Sequence, residues 1–120
     1  MHTDDDATSR TATIARLNDD ARLGLDRRAR VLFTSNCLET FRPTPETHVA
    51  LVQAELLKAF RHCEFAADSP EHDFASILHR ERKVWMKIDY YDLACDYGSE
   101  DPANAAITTR VITILLPEDY

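Results

Sequence analysis

Glu71, His72 and Asp73 set two carboxylates and an imidazole side by side within Ser69-Pro70-Glu71-His72-Asp73-Phe74. Such groups carry protons near neutral pH and ligate zinc or iron, so this run is the first candidate for general acid–base work or metal coordination. A strand expected to return past it, Val84 to Asp92, brings Lys87, Asp89, Tyr90, Tyr91 and Asp92. Successive residues of an extended chain point to opposite faces, so His72 and Asp73 should diverge and a metal would need further ligands such as Asp89, Asp92 or His79. The same residues suit a hydrogen-bonded corner, with Asp73 accepting backbone N–H groups and His72 packed on the hairpin. If the chain is an enzyme, Glu71, His72 and Asp73 are its catalytic candidates and His72, Asp73 and Asp89 its metal candidates; no cofactor is predicted.

A second set of residues is defined by charge. The net charge is −7. Residues 1–60 hold nine acids against eight bases, and residues 61–120 twelve against six, so the second half carries −6 of it. Two stretches contain acids and no lysine or arginine: Glu64 to Asp73, and Asp89 to Asp101. Phosphate repulsion opposes direct nucleic-acid binding by such a surface, which instead fits a basic protein or a nucleoprotein complex. The partner-binding candidates are Trp85, Asp89, Tyr91, Asp92, Asp96, Tyr97, Glu100 and Asp101. Lys87, Asp89 and Tyr91 share one strand face; such a row could orient a substrate, but rows of this kind more often form cross-strand ion pairs. GxSxG, P-loop, HExxH and Cys/His zinc patterns are missing from the sequence.

These residues need a scaffold. The chain of 120 residues fits one domain, residues 9–120, behind an acidic tail over residues 1–8 expected to be disordered. Ile14, Leu17, Ala21 and Leu25 recur at helical spacing, and Gly24 marks the end of that helix. Arg30 to Ser35 reads as a strand. Thr44-Pro45-Glu46 predicts the start of a second helix, with Val49, Val52, Leu56 and Phe60 as its buried stripe and Arg61-His62 as its end. Cys63 to Ala66 is a weak strand candidate. Phe74–His79 and Val84–Tyr91 read as a hairpin whose tip is Glu81-Arg82, pairing Arg80 with Lys83 and Ile77 with Met86. Ile107–Leu116 is apolar on both faces, predicting a central strand stopped by Pro117. The expected fold is α+β: two helices packed on a mainly antiparallel sheet of four to five strands. The three cysteines, in no framework spacing, predict reduced thiols. The N-terminus has no signal-like segment and no run is long and apolar enough for a membrane span, so a cytoplasmic protein is expected.

Glu71-His72-Asp73-Phe74, Trp85-Met86-Lys87-Ile88-Asp89-Tyr90-Tyr91-Asp92, Gly98-Ser99-Glu100-Asp101-Pro102 and Thr109-Arg110-Val111-Ile112-Thr113-Ile114 together resemble a small bacterial domain-of-unknown-function family built around a Glu-His-Asp-Phe-Gly motif. Ile14-Ala15-Arg16-Leu17-Asn18-Asp19 is similar to that family's start. The resemblance implies an alphaproteobacterial chromosome or plasmid, often in mobile-element surroundings, and no assigned activity. Where the family has glycine after Phe74, this chain has Ala75. Either a positive φ is not required there or a close backbone contact has loosened.

Charge asymmetry and this setting give the leading expectation: a non-enzymatic interaction protein that inhibits a host nucleic-acid-handling or defence protein, in the manner of anti-CRISPR or antirestriction proteins. The alternative is a small metal-dependent or hydrolytic enzyme centred on Glu71-His72-Asp73. A homodimer formed through an exposed sheet edge is a third expectation.

Overall fold

A computed structural model describes residues 3–120 of the chain. The amphipathic run around Ile14, Leu17 and Ala21 lies in helix α1, Thr3–Arg22. Residues 1–8, expected as a tail, fall partly on the first turns of α1 and partly on Met1 and His2, outside the described residues. Gly24 closes the helix as expected: at φ 81° it lets Leu25 N–H reach back to the Asp20 carbonyl at 2.8 Å.

Strand β1, Arg30–Phe33, is followed by a short helix, α2 (Ser35–Phe41), that is not among the elements the sequence predicts. Thr34 caps it, its hydroxyl accepting from Cys37 N–H at 3.2 Å. The next helix, α3, spans Val49–Arg61 and ends where expected, but it starts at a His48 cap, whose Nδ1 accepts from Ala50 N–H at 3.1 Å. The expected cap, Thr44-Pro45-Glu46, forms a turn instead. Thr47 N–H bonds the Thr44 carbonyl at 3.1 Å, and Arg42 donates to the carbonyls of Thr47 and Pro45 at 2.8 Å each. Threonine followed by proline opens a β-turn as readily as a helix, and the arginine brace decides between them here.

Strands β2 (Phe74–His79), β3 (Arg82–Tyr91) and β4 (Thr109–Leu115) complete a four-stranded sheet of order β1-β4-β3-β2. As expected, β4 is central. It pairs antiparallel with β3 but parallel with β1, so the sheet is mixed, and three helices rather than two accompany it. Cys63 to Ala66 is irregular and forms no strand. The hairpin register differs from expectation by two residues. His79 pairs with Arg82 and Ile77 with Val84, because Arg80 and Glu81 form the tip at φ 50° and 70°. That tight primed turn matches the twist of its strands, and a slip of two leaves every side chain on its expected face. Ala75 sits in β2 opposite Met86, 3% exposed and outside the positive-φ set, so this chain does not need glycine's conformation there.

The helices share one sheet face. Ala21, Cys37, Phe41, Val52, Leu56 and Phe60 pack there against Ala75, Val84, Met86, Ile88, Ile112 and Ile114. A fully buried leucine or phenylalanine such as Leu56 or Phe60 contributes about 1.5–3 kcal/mol. The other face carries Leu32, Phe74, Leu78, Trp85, Lys87 and Asp89 and, among the described residues, no α-helix; Trp85 meets Phe74 edge-on at 5.4 Å and Tyr120 at 6.0 Å.

Candidate functional site

The Glu71-His72-Asp73 corner is held between the core-facing end of β3 and the C-terminal half of α1. His72 occupies the left-handed region at φ 60°, a conformation that costs a non-glycine residue about 1–2 kcal/mol. It turns the imidazole away from the hairpin and onto α1. There His72 Nδ1 lies 2.9 Å from Asp19 Oδ1, and its ring stacks on Phe65 at 4.3 Å and 3°. Asp19 Oδ1 also accepts from Arg22 at 2.9 Å, and Arg22 donates to the Phe60 and Arg61 carbonyls that end α3, at 2.9 and 3.0 Å. A guanidinium at a helix C-terminus complements its dipole. Burial pushes the Asp19 carboxyl up, but hydrogen bonds from Arg22 and His72 outweigh it and hold the group below its ordinary value.

Beside this runs a buried relay. Arg110, 1% exposed, donates through Nε to Asn18 Oδ1 at 2.7 Å and through Nη2 to the Pro102 carbonyl. Asn18, fully buried, donates to the Glu71 carbonyl at 2.9 Å and to the Tyr90 hydroxyl at 2.8 Å. The Tyr90 hydroxyl passes a longer bond to Glu71 Oε2 at 3.3 Å. Arg110 also stacks its guanidinium 5.2 Å above the Tyr90 ring and forms no ion pair among the described residues. Burial lowers the Arg110 pKa and raises that of Tyr90 to about 12. Buried polar chains of this kind are stable only when their donors and acceptors are matched.

Asp73 completes the corner differently from expectation. Its carboxylate accepts from the Ser69 hydroxyl at 3.1 Å rather than from backbone N–H groups, and its carbonyl accepts from Ile88 N–H at 2.8 Å. His72, correspondingly, packs on α1 and Phe65 and not on the hairpin. The three proposed metal residues are not brought together. His72 faces Asp19, Asp73 faces Ser69, and Asp89 lies on the helix-free face bonded to Lys87 at 3.0 Å. Among the described residues no group of three or more His, Cys, Asp or Glu side chains could share a metal ion.

The partner-binding candidates fall into two places along β3. Trp85 belongs to the aromatic cluster with Phe74 and Tyr120. Six residues on, about 20 Å at strand rise, Tyr91 leads into an acidic lobe. The Asp92 N–H bonds the Tyr97 carbonyl at 2.8 Å, Asp92 Oδ1 accepts from Asp96 N–H at 3.0 Å, and Gly98 bridges back to Tyr91. This fold leaves Tyr97 77% exposed with Asp96 and Glu100 in water. Asp92, Tyr97, Gly98, Glu100 and Ile107 line a hollow of about 350 Å³. Asp101 is drawn off to Arg10 at 2.9 Å and Asp89 to Lys87, so neither is an unpaired acid. A larger open depression, about 710 Å³, lies between the end of α1 and Ala105-Ala106.

Sequence reasoning missed Asn18, Asp19, Arg22 and Arg110. A signal existed for two of them: Asn18 falls on the apolar stripe of α1, four residues after Ile14, and Arg110 interrupts an apolar strand at an inward position.

No helix among the described residues is long and apolar enough to cross a membrane. No curated protein and no solved structure matches the chain. A family match covers residues 43–119, leaving Asn18, Asp19 and Arg22 of α1 outside the matched span and falling short of the nearly full-length resemblance read from the sequence. The matched span contains the corner, the hairpin, the lobe and β4, and by it the chain belongs to the family described as "Protein of unknown function (DUF3768)".

Proposed function

We propose that this protein is a non-enzymatic, cytoplasmic binding protein whose acidic lobe engages a basic protein or nucleoprotein complex, inhibiting a host nucleic-acid-handling or defence system in the anti-CRISPR or antirestriction manner. The observation that carries the reading is the hollow at the lobe. Asp92, Tyr97 and Glu100 are among the residues that line it, and neither acid is in an ion pair among the described residues. That is a receptor for a lysine or arginine side chain, combining charge with a cation–π face. Self-repulsion among Asp92, Asp96 and Glu100 would be relieved when a cation enters. The mobile-element setting that the resemblance implies supports the inhibitor role.

Capture of the tagged protein from host lysate, with nuclease present and at low and high salt, tests the proposal. The expected partner is basic, nuclease-resistant, released at high salt, and lost in the double variant Asp96→Lys, Glu100→Lys. A partner retained equally at both salts, or by the charge-reversed variant, overturns it.

One observation favours the enzymatic alternative. Asp19 orients His72 through Nδ1 at 2.9 Å, and the imidazole is 34% exposed, as a general base would be. His72→Gln at unchanged stability separates the readings: partner capture survives it if the lobe is the site.

A further inference from the structure

The sheet ends at β2, whose second edge pairs with nothing among the described residues. Which of its backbone groups face outward follows from the hairpin. The two-residue tip makes His79 and Arg82 a pair that exchanges hydrogen bonds, and the 2.8 Å bond from Ile88 N–H to the Asp73 carbonyl makes Phe74 and Lys87 a pair that does not. Alternation then turns the N–H and C=O groups of Ser76 and Leu78, and the carbonyl of Phe74, away from β3. The Phe74 N–H is capped by the Ser69 hydroxyl at 3.3 Å. The side chains of these three residues lie on the helix-free face, where Phe74 is 38% and Leu78 73% exposed.

The edge is also a groove. The α3–β2 segment passes beside it, so that Glu64, Ala66, Asp68 and Ser69 on one side and Phe74, Ala75 and Ser76 on the other line a cavity of about 300 Å³. Glu64 and Asp68 are exposed and in no ion pair among the described residues. The stretch from Glu64 to Asp73 holds four acids and no lysine or arginine.

We propose that this groove binds an extended basic peptide segment as a fifth strand on β2. Ser76 and Leu78 would supply the main-chain bonds, Phe74 and Leu78 would cover alternate apolar side chains, and Glu64 with Asp68 would select lysine or arginine at the outer positions. Charge selects the occupant: a second copy would bring its own Glu64 and Asp68 up to the same acids, whereas a basic strand neutralises them. The inference rests on the reading of this protein as a binder of basic partners and gives that partner a second point of attachment, a backbone-read one. An open strand edge is otherwise an aggregation hazard, and an acidic flank limits its guests.

The probe is an eight-residue blocked peptide of alternating lysine and valine, with the glutamate–valine peptide as control. Binding is followed by calorimetry and by amide hydrogen exchange on the full chain. The expected result is exchange slowed about tenfold or more at Ser76 and Leu78, with no effect of the acidic control. Ser76→Pro removes an outward N–H without taking a bond from β3 and should weaken binding at least about tenfold. Glu64→Lys with Asp68→Lys, both at exposed positions, should do the same if the proline variant fails to fold. Binding that leaves both amides unprotected and is lost only in Asp96→Lys, Glu100→Lys overturns the edge proposal while leaving the lobe reading intact. Absence of peptide binding, or protection of both amides by self-association without peptide, also overturns the edge proposal, and neither result bears on the salt-dependent capture that tests the lobe.

Discussion

Two polar regions gather where β3 leaves the sheet, and they differ in what their polar atoms meet. In the buried relay, Arg110, Asn18, Tyr90 and Glu71 are joined by bonds of 2.7 to 3.3 Å that cross from β4 to α1, β3 and the corner. In the lobe, Asp96 and Glu100 face water and are joined to no cation among the described residues. Composition alone cannot tell these apart, since both are rich in groups that could do chemistry. Burial distinguishes them: where Arg110 and Asn18 lie, an unmatched polar group costs about 1–3 kcal/mol, so their matched partners stabilise the fold. At the surface the same groups are tolerated unmatched and stay available. The relay therefore maintains the fold, while the acids of the lobe and of the β2 groove stay open to solvent.

The comparison breaks most visibly at Arg110. Arg110→Met strands the Asn18 and Pro102 acceptors and should cost about 3 kcal/mol in urea denaturation, and Asn18→Ala about 2 kcal/mol. The double variant should cost roughly 1 kcal/mol less than the sum, because the two act through one bond. Strict additivity would mean that the relay is not a unit. At His72 two effects can be separated. His72→Ala loses the Asp19 bond and the Phe65 stack while keeping a β-carbon at φ 60°, and His72→Gly relieves that backbone. The glycine variant should be the more stable of the two by about 1 kcal/mol.

Acid and alkali sharpen the same distinction. The Asp19 carboxyl sits below its ordinary 3.8 in the fold, so the stability it adds is fully present above that pH and is lost as pH falls through the folded value. Asp19→Asn should flatten the acid limb of a stability profile below about pH 4. Tyr90 has the opposite sense. Its proton is retained in the fold to about 12 against an ordinary 10, so stability holds below pH 10 and falls as pH rises from there through 12. Tyr90→Phe should remove that alkaline loss, at the expense of the Asn18 bond.

Much of the scaffold was legible because it rests on local pattern. Local pattern bounds β2 to the residue, apolarity on both faces makes β4 central, and Gly24 closes α1 as glycine does. The misses have two causes: side-chain braces and caps within a few residues that propensity does not reveal, and, at the site, contacts distant in sequence. Arg42 fixes the turn at Thr44-Pro45 and so delays α3, while α2 is a seven-residue helix held by Thr34 and by packing. At the site, Glu71-His72-Asp73 was the right place to look, but its meaning lay 53 residues away at Asn18 and Asp19. A strand model of the corner assumed extended geometry; His72 at positive φ removed it. Asp101 shows the reverse case, an acid expected at the partner surface that Arg10 neutralises, while Asp89 forms an ion pair with Lys87 of its own strand.

The smallest expected change in stability is at the lobe, and it carries the most weight for function. Asp96→Lys and Glu100→Lys remove no hydrogen bond made by either side chain among the described residues, so each should shift stability by no more than about 0.5 kcal/mol. The sign should be positive at low salt, because reversing one acid relieves repulsion from Asp92 and its neighbours, and the gain should fade as ionic strength shortens the Debye length to about 8 Å. Partner binding should move the other way and by far more. A variant at Asp92, by contrast, must lose stability as well, since Asp92 Oδ1 caps the Asp96 N–H at 3.0 Å and shapes the loop. The set therefore contains its own control: if Asp96, Glu100 and Asp92 variants all lost binding only in proportion to stability, the lobe would be a structural loop like the corner, and the distinction between the two regions would collapse.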